Sequence, residues 1–543
     1  MIARLAGQIA RKLNSSRCPR RSHKSPGAQP DPESLSRELE HLREKARERI
    51  AELEKQVEEQ QKKIGEQEKK IDEQEKTIGE KEKKIAELER QLALRQRNST
   101  NSSKPPSSDG LAGPERQRGG RQKKNRRKPG GQKGHPGHWR TLVPPERVNQ
   151  VVDVYPPHCQ HCKREWPVEV AAGLRQGEPR RHQVTELPRI EPHISEYRLH
   201  NVRCADCRRE TQAVLPVGVQ GQFGPQLTAL MAYLTVVCRI PRRLMKNLLE
   251  EALGIPLSLG STQKAWEEAS AAVAEPYREL KQALPQQRVL NADETSSHTK
   301  AEKRWLWVFV AQTFVFYTIQ ISRGTEVLLR LLGKEFAGIL GNDRYSSYLK
   351  YIKENVKALM QFCWAHFKRD LLGAQEVASS RSARRFCKEA LALQGKLFRL
   401  WHRFRGGVLV RGSPLTRKEL MHKSIPLQKR FFALGERYVN CNDAEVRNLA
   451  RALFEHSEKF FMFLEHEGVE PTNNSSERAL RPAVQWRKIT FGNRSAEGEV
   501  AVSRLLTVRG TCQMNHRNTL AYLGEAIQCY RMQRPVPSLL NKA

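Results

Sequence analysis

No run of about 18 consecutive apolar residues, the minimum for a membrane-spanning helix, occurs in the chain, so no membrane partner is expected. Cysteine pairing is sparse too. Of 11 cysteines only four fall in close pairs, unlike the dense framework of a small secreted domain. A reducing compartment with one metal site fits that pattern better. Acidic residues are missing where basic ones crowd. Residues 1–30 hold seven Lys/Arg and no Asp or Glu, and Arg116 to Arg140 hold ten and none. Over all 543 residues, 95 Lys+Arg against 60 Asp+Glu leave a formal charge of +35. Such an excess costs self-repulsion unless a polyanion offsets it, which favours nucleic acid over an anionic membrane as partner. The length exceeds what one hydrophobic core organises and predicts three or more units. The first, residues 1–32, reads as a disordered basic extension or as sequence upstream of a misplaced start; a transit peptide has the same composition.

What is abundant is a seven-residue period. Ile50, Val57, Ile64, Ile71, Ile78, Ile85 and Leu92 recur as a positions of a coiled coil over residues 33–97. Four near-identical heptads, KKIGEQE, KKIDEQE, KTIGEKE and KKIAELE, lie inside it. Lys63, Lys70 and Lys84 at g each stand five residues before a Glu at e (Glu68, Glu75, Glu89). That is the spacing of inter-chain pairs in a parallel homodimer or higher assembly. The d positions are mostly polar (Gln60, Gln67, Gln74, Lys81), and Gly65 and Gly79 weaken the helix, so a solvated single helix is the competing reading.

Residues 98–145 read as a disordered basic linker. Its Arg126, Arg127, Lys128 and Lys133 suit a phosphate backbone, although a solubilising linker or localisation signal would share the composition. Residues 146–220 carry two CxxC pairs, Cys159–Cys162 and Cys204–Cys207, whose four thiolates suit a structural Zn²⁺ in a β-rich module. The strand-like Arg189 to Asn201 is expected to form the intervening hairpin, and redox dithiols or unpaired thiols are the alternative use of the cysteines. Residues 221–285 show helical periodicity, with Ser261 and Thr262 as an expected cap; the pattern fits a DNA-binding helix-turn-helix or any packed helical pair.

From Arg288 the pattern turns to strands. Arg288 to Asp293 reads as a short strand ending in a carboxylate, followed by Arg304 to Val310 and Phe314 to Ile321. A helix from Thr325 to Phe336, a strand ending at Asp343, a further helix and a strand from Ala358 to Trp364 complete a ribonuclease-H-like order over residues 286–510. Carboxylates at strand ends suit phosphodiester cleavage, in which two hard cations activate the nucleophile and neutralise the leaving oxygen. Asp293 and Asp343 are the candidates, with Glu477 as a third acid on a later helix capped by the Asn/Ser cluster from Asn473. Arg478, Arg481, Arg487 and Lys488 offer a basic edge for DNA. A helical insertion is expected at about residues 379–470, and residues 511–543 form a C-terminal tail region.

Several ordered motifs resemble the insertion-sequence 66 family of Asp-Asp-Glu transposases. They are NSSKPPSSDG (Asn101–Gly110), GGQKGHPG (Gly130–Gly137), the CxxC pairs, ADETS (Ala292–Ser296), DRYSSY (Asp343–Tyr348), CWAHFKRD (Cys363–Asp370), NNSSERALRP (Asn473–Pro482) and KITFGN (Lys488–Asn493). The resemblance implies that Asp293, Asp343 and Glu477 bind two Mg²⁺ or Mn²⁺ ions per active site, and that the chain cuts and joins double-stranded DNA at element ends and target. It also implies a bacterial cytoplasmic, nucleoid-associated protein, one that in some members acts with small helper proteins. His366 and Arg369 become site-supporting or DNA-contacting groups, unless they are an ordinary packed helix start. The chain departs from the family in residues 1–32, in its repeated heptads, and in Asn518–Thr519 where the family carries Asn-Pro. The expected fold is multidomain α+β: coiled coil, zinc module, helical region and ribonuclease-H-like core with a helical insertion. A zinc-dependent DNA-binding regulator with a vestigial nuclease fold, and a resolvase or ribonuclease, are the alternative functions.

Overall fold

A computed structural model of the chain describes residues 32–102, 140–406 and 413–540. The chain divides into two units, Met1–Gln91 and Leu92–Ala543. The described part of the first is one helix, α1, which runs from Pro32 to Arg95. Its a-position side chains from Ile50 to Ile85 form a stripe 53–56% exposed.

The second unit begins its described course with little regular structure. Residues 140–220 contain α2 (Val168–Gly173) and one short hairpin, β1 (Asn201–Arg203) against β2 (Glu210–Gln212). The expected hairpin from Arg189 to Asn201 is not formed. That segment has no strand pairing before Asn201, and the paired strands flank the second CxxC instead. Four helices follow: α3 (Pro225–Val236), α4 (Arg242–Leu253), α5 (Leu259–Ala272) and α6 (Ala274–Ala283). The cap of α5 is Ser258, which accepts from the Ser261 amide, so the capping hydroxyl lies three residues before the expected one. Met231, Met245, Leu249, Leu257 and Ala265 close a small core between α3, α4 and α5.

A five-stranded sheet then forms in the order β5-β4-β3-β6-β7. Its strands are β3 (Val289–Thr299), β4 (Glu302–Val310), β5 (Val315–Gln320), β6 (Ile339–Asn342) and β7 (Leu359–Phe362). The first three pair antiparallel and the last two add in parallel, the arrangement expected from the sequence. Parallel neighbours need crossover helices. These are α7 (Thr325–Leu332) before β6 and α8 (Ser346–Glu354) before β7; α9 (Trp364–Val377) follows the last strand. Helix α7 stops four residues short of Phe336 because Gly333 turns out of it with φ 77.

Helices α10 (Arg381–Phe404), α11 (Arg417–Tyr438), α12 (Ala444–Glu455) and α13 (Met462–Glu465) make the insertion. It is fastened to the sheet through Trp364, whose indole N–H donates to Phe460 O (2.7 Å) and whose ring packs on Phe431, Phe460 and Phe461. Helix α14 (Asn474–Thr490) returns the chain to the sheet and packs against β3. Helix α15 (Ala496–Met514) closes the expected core region, and α16 (Thr519–Arg531) lies in the stretch expected to be a tail region. Tyr522, Leu523, Ala526 and Ile527 are buried, Arg531 pairs with Glu268 on α5, and Asn518 caps α16.

Candidate active site

The site forms where parallel pairing stops. Strand β3 pairs with β6 only through Asn291↔Gly341, whereas its antiparallel pairing with β4 continues to Thr299. Asp293 therefore lies mid-strand, not at a strand end as expected, just past the last β3–β6 pair. Close approach at that pair requires Gly341, since a Cβ there would collide with the Asn291 side-chain amide. The Ala292 carbonyl, left without a β6 partner, accepts from Asn473 Nδ2 at 2.7 Å. Asn473 was expected to cap α14 but makes no side-chain cap bond; its amide is spent on β3.

Asp343 follows β6 directly. Its Oδ1 accepts the Tyr345 amide at 3.0 Å, and Asn342 Oδ1 accepts the amide of Arg344, which adopts φ 75. Glu477 lies in the first turn of α14, a position favoured by the positive end of the helix. The start of α14 is tied to the end of β7: Trp364 N donates to Pro471 O (3.0 Å) and Asn473 N to Cys363 Sγ (3.1 Å). Three chain segments thus converge through backbone bonds and the side chains of Asn473 and Cys363.

The electrostatics follow from that convergence. Burial first, then the charges of Glu294, Asp343 and Glu477, push the Asp293 pKa well above the usual carboxylate range. Burial likewise raises Asp343. Glu294 is pushed up to about 7 by burial and by Asp343, against the pull of Arg323 and Tyr348. Such a cluster favours a cation, and carboxylate oxygens suit hard divalent ions. The three acids share one field without being gathered as ligands. Among the described residues no three His, Cys, Asp or Glu side chains stand close enough to hold a metal ion. Glu477 is drawn toward α9, where Arg369 Nη2 donates to its Oε1 at 3.0 Å. His366 Nε2 lies 3.6 Å from the same oxygen, too far for a hydrogen bond. Burial, Arg369 and Arg344 drive the His366 pKa down to about 3, so this contact is not an ion pair at neutral pH. His366 and Arg369 are therefore neighbours of the site, not merely a packed helix start.

Glu294, Arg323 and Tyr348 escaped the sequence reading. Glu294 lies on the opposite face of β3 from Asp293, buried, and accepts from Arg323 Nε (2.5 Å) and from the Tyr348 hydroxyl. The signal was present as an acid in a buried register of the strand, but nothing in the spacing named its partner. Of the expected DNA-contacting residues, Arg478, Arg481 and Lys488 are exposed. Arg487 is half-buried and donates to Ser296 Oγ at 3.1 Å, which makes it a tie between α14 and β3. Arg126, Arg127, Lys128 and Lys133 lie outside the described residues.

The cysteine pairs are not assembled into one four-thiol site among the described residues. Each pair nevertheless adopts the same tight turn. Cys159 N donates to Arg164 O and Lys163 N to Cys159 O; Cys204 N donates to Arg209 O and Arg208 N to Cys204 O. Lys163 and Arg208 take φ 61 and 59. Backbone amides of Cys162 and His161 lower the Cys159 pKa, and those of Cys207 and Asp206 lower Cys204. The turns favour thiolate.

Residues 220–501, over half of the chain, match the family model described as Transposase IS66 family. The chain belongs to the IS66 transposase family. Residues 23–141 match a second model, DUF6444, a family of unknown function. Relatives of this IS66-family chain include two uncharacterized proteins of Sinorhizobium fredii. One, y4qI, is 26% identical over 260 residues, covering 44% of this chain and 46% of that protein. The other, y4hP, is 25% identical over 381 residues, covering 65% and 67%. The chain therefore spans less than half the length of y4qI. Two solved structures of the Mos1 transposase catalytic domain, one with Raltegravir and Mn, overlap 36% of the chain and 91% and 90% of their own. Their identities are 14% and 13% and both TM-scores are 0.12, too low to bear on the fold.

Proposed function

We propose that this IS66-family chain is a DNA transposase that binds the ends of a mobile element and carries out metal-dependent strand cleavage and strand transfer. The observation that carries the reading is the convergence of Asp293, Asp343 and Glu477, acids from three distant segments, with the charges of Asp343 and Glu477 both acting on the buried Asp293 carboxyl. The ions, Mg²⁺ or Mn²⁺ at two per site, supply Lewis-acid activation of the attacking oxygen and charge neutralisation of the leaving one. Asp293 and Asp343 hold oxygen donors at fixed backbone positions, and Glu477 adds a third once it turns from Arg369. Arg478, Arg481 and Lys488 bind the DNA backbone of element ends and target, with the basic stretch around Arg126, Arg127, Lys128 and Lys133 adding salt-dependent affinity. Thiolates of Cys159, Cys162, Cys204 and Cys207 bind one structural Zn²⁺, supported by the paired turns and by the lowered pKa of Cys159 and of Cys204. Helix α1 pairs two copies, and small helper proteins are further candidate partners.

The test is to incubate the purified protein with Mg²⁺ and DNA carrying the inverted repeats that flank its gene. Cleavage at those ends, lost in Asp293→Ala with DNA binding kept, is the expected result. Cleavage by Asp293→Ala at the wild-type rate would overturn the reading.

A further inference from the structure

The guanidinium of Arg323 is unusually confined. Its backbone is held on both sides: Ser347 Oγ donates to the Arg323 carbonyl at 2.8 Å, and Trp307 Nε1 to the Ser322 carbonyl at 3.1 Å. Its head group stacks on the Tyr345 ring, 3.6 Å from the centroid, and faces Trp305 at 5.1 Å. Its polar contacts in the site are made through its edge. Nε donates to Glu294 at 2.5 Å, and Nη2 stands 3.9 Å from Asp343 Oδ2. Glu294 is itself fixed, its side chain fully buried and its other oxygen bound by the Tyr348 hydroxyl. Asp343 is oriented by the Tyr345 amide on Oδ1, which leaves Oδ2 as the oxygen facing Arg323.

We propose that Glu294 and Arg323 are a positioning pair, in which Arg323 orients Asp343 and Glu294 neutralises Arg323 so that a divalent cation can enter beside it. The inference rests on the metal site proposed above and assigns it a charge balance. At 3.9 Å the guanidinium steers the Asp343 carboxylate without binding it tightly, and the oxygen stays available to an ion. A bare guanidinium so close would repel that ion. Its adjacent carboxylate cancels the repulsion, and the aromatic rings prevent the cation from swinging away to relieve it. Glu294 faces away from the ligand side of β3; its charge adds to the field at Asp293, and its contact with the site runs through Arg323.

The experiment measures Mn²⁺ binding to the full-length protein without DNA, by calorimetry and by the resonance signal of free Mn²⁺. Thermal melts run in parallel. Glu294→Gln, which keeps shape and loses charge, is expected to weaken Mn²⁺ binding by at least about tenfold, the floor set by one uncompensated charge about 6 Å from a divalent ion under water-like screening at a dielectric of about 80. The double variant Glu294→Gln/Arg323→Gln is expected to recover most of that loss. A purely structural role predicts otherwise: Glu294→Gln would lower the melting temperature and leave affinity unchanged, or the double variant would bind no better than the single. Either result overturns the pair. Should wild type and Asp343→Asn bind Mn²⁺ alike, the metal site falls and the pair with it. Wild-type affinity in Glu294→Gln, with binding lost in Asp343→Asn, removes the pair alone. If Glu294→Gln does not fold, Arg323→Gln serves: Mn²⁺ binding at least as tight as wild type is expected, because the lost positive charge offsets the lost orientation of Asp343, and clearly weaker binding contradicts the charge balance.

Discussion

His366 is neutral at pH 7 because burial, followed by the charges of Arg369 and Arg344, opposes its proton. An unfolded imidazole titrates near 6.5, whereas the native one is held down to about 3. The sign follows from linkage: stability from the neutral native ring is present above about pH 6.5 and is lost as pH falls toward the folded value. In urea unfolding with a chelator present, wild type should lose about 2–3 kcal/mol more than His366→Gln between pH 7 and 4.5. Parallel losses would mean that the ring protonates freely in the native state. At this scale the sequence was readable where an acid stood in a recognisable motif. Asp293, Asp343 and Glu477 are such residues, and the fold brings them within one another's field. It was unreadable where a role depends on a contact between segments. Arg323 sits in no motif and gains its part only from Glu294, Tyr345 and Trp305. Arg487 looked like a DNA contact by charge and proves to be bonded to Ser296.

Elements were legible by period, and less so at their junctions. Runs rich in aromatic and β-branched residues marked β4 and β5, and the helical period marked α3 to α6, but β3 outran its expected end because the β4 hairpin sustains it. The cover on β5 left no pattern to recognise. An edge strand exposes unpaired N–H groups. Here Ser503, Thr507 and Thr511, spaced four residues apart on α15, accept from the amides of Ile319, Tyr317 and Val315 at 3.2, 2.9 and 3.1 Å. Three hydroxyls stand in for a missing strand, and Gly510 lets the helix approach. Thr507→Val keeps volume and strands the Tyr317 amide, so it should cost about 1–3 kcal/mol by chemical denaturation. A neutral result would show that the edge is satisfied some other way. Asn473→Ala acts at a different junction. It frees the start of α14 from β3 and should lower end cleavage by roughly 10- to 100-fold through misplacement of Glu477, with DNA affinity kept. Unchanged cleavage would show that the ties from Trp364 and Cys363 suffice.

For the molecule as a whole, charge and repeat reach further than the catalytic motifs do. The first unit has no core of its own among its described residues: it is a single helix whose isoleucine stripe is more than half exposed. A long isolated helix carrying Gly65 and Gly79 gains little from propensity, and packing of an apolar face is what ordinarily stabilises it. In the proposed dimer a second copy supplies that packing in register, because Lys63, Lys70 and Lys84 of one chain would meet Glu68, Glu75 and Glu89 of the other only when the helices run parallel. The polar d layer makes the seam weak enough to be tested by modest changes. Replacing Ile64, Ile71 and Ile78 with Lys should turn a dimer into a monomer by sedimentation and lower the helical signal of the same region, while the melt of the second unit stays put. Raising salt from 0.05 to about 1 M should weaken the wild-type dimer by screening the g–e pairs without abolishing it, since the isoleucine layer is not ionic. A dimer that survives deletion of residues 50–92 would move the interface elsewhere, and two active sites would then have to be joined through the second unit.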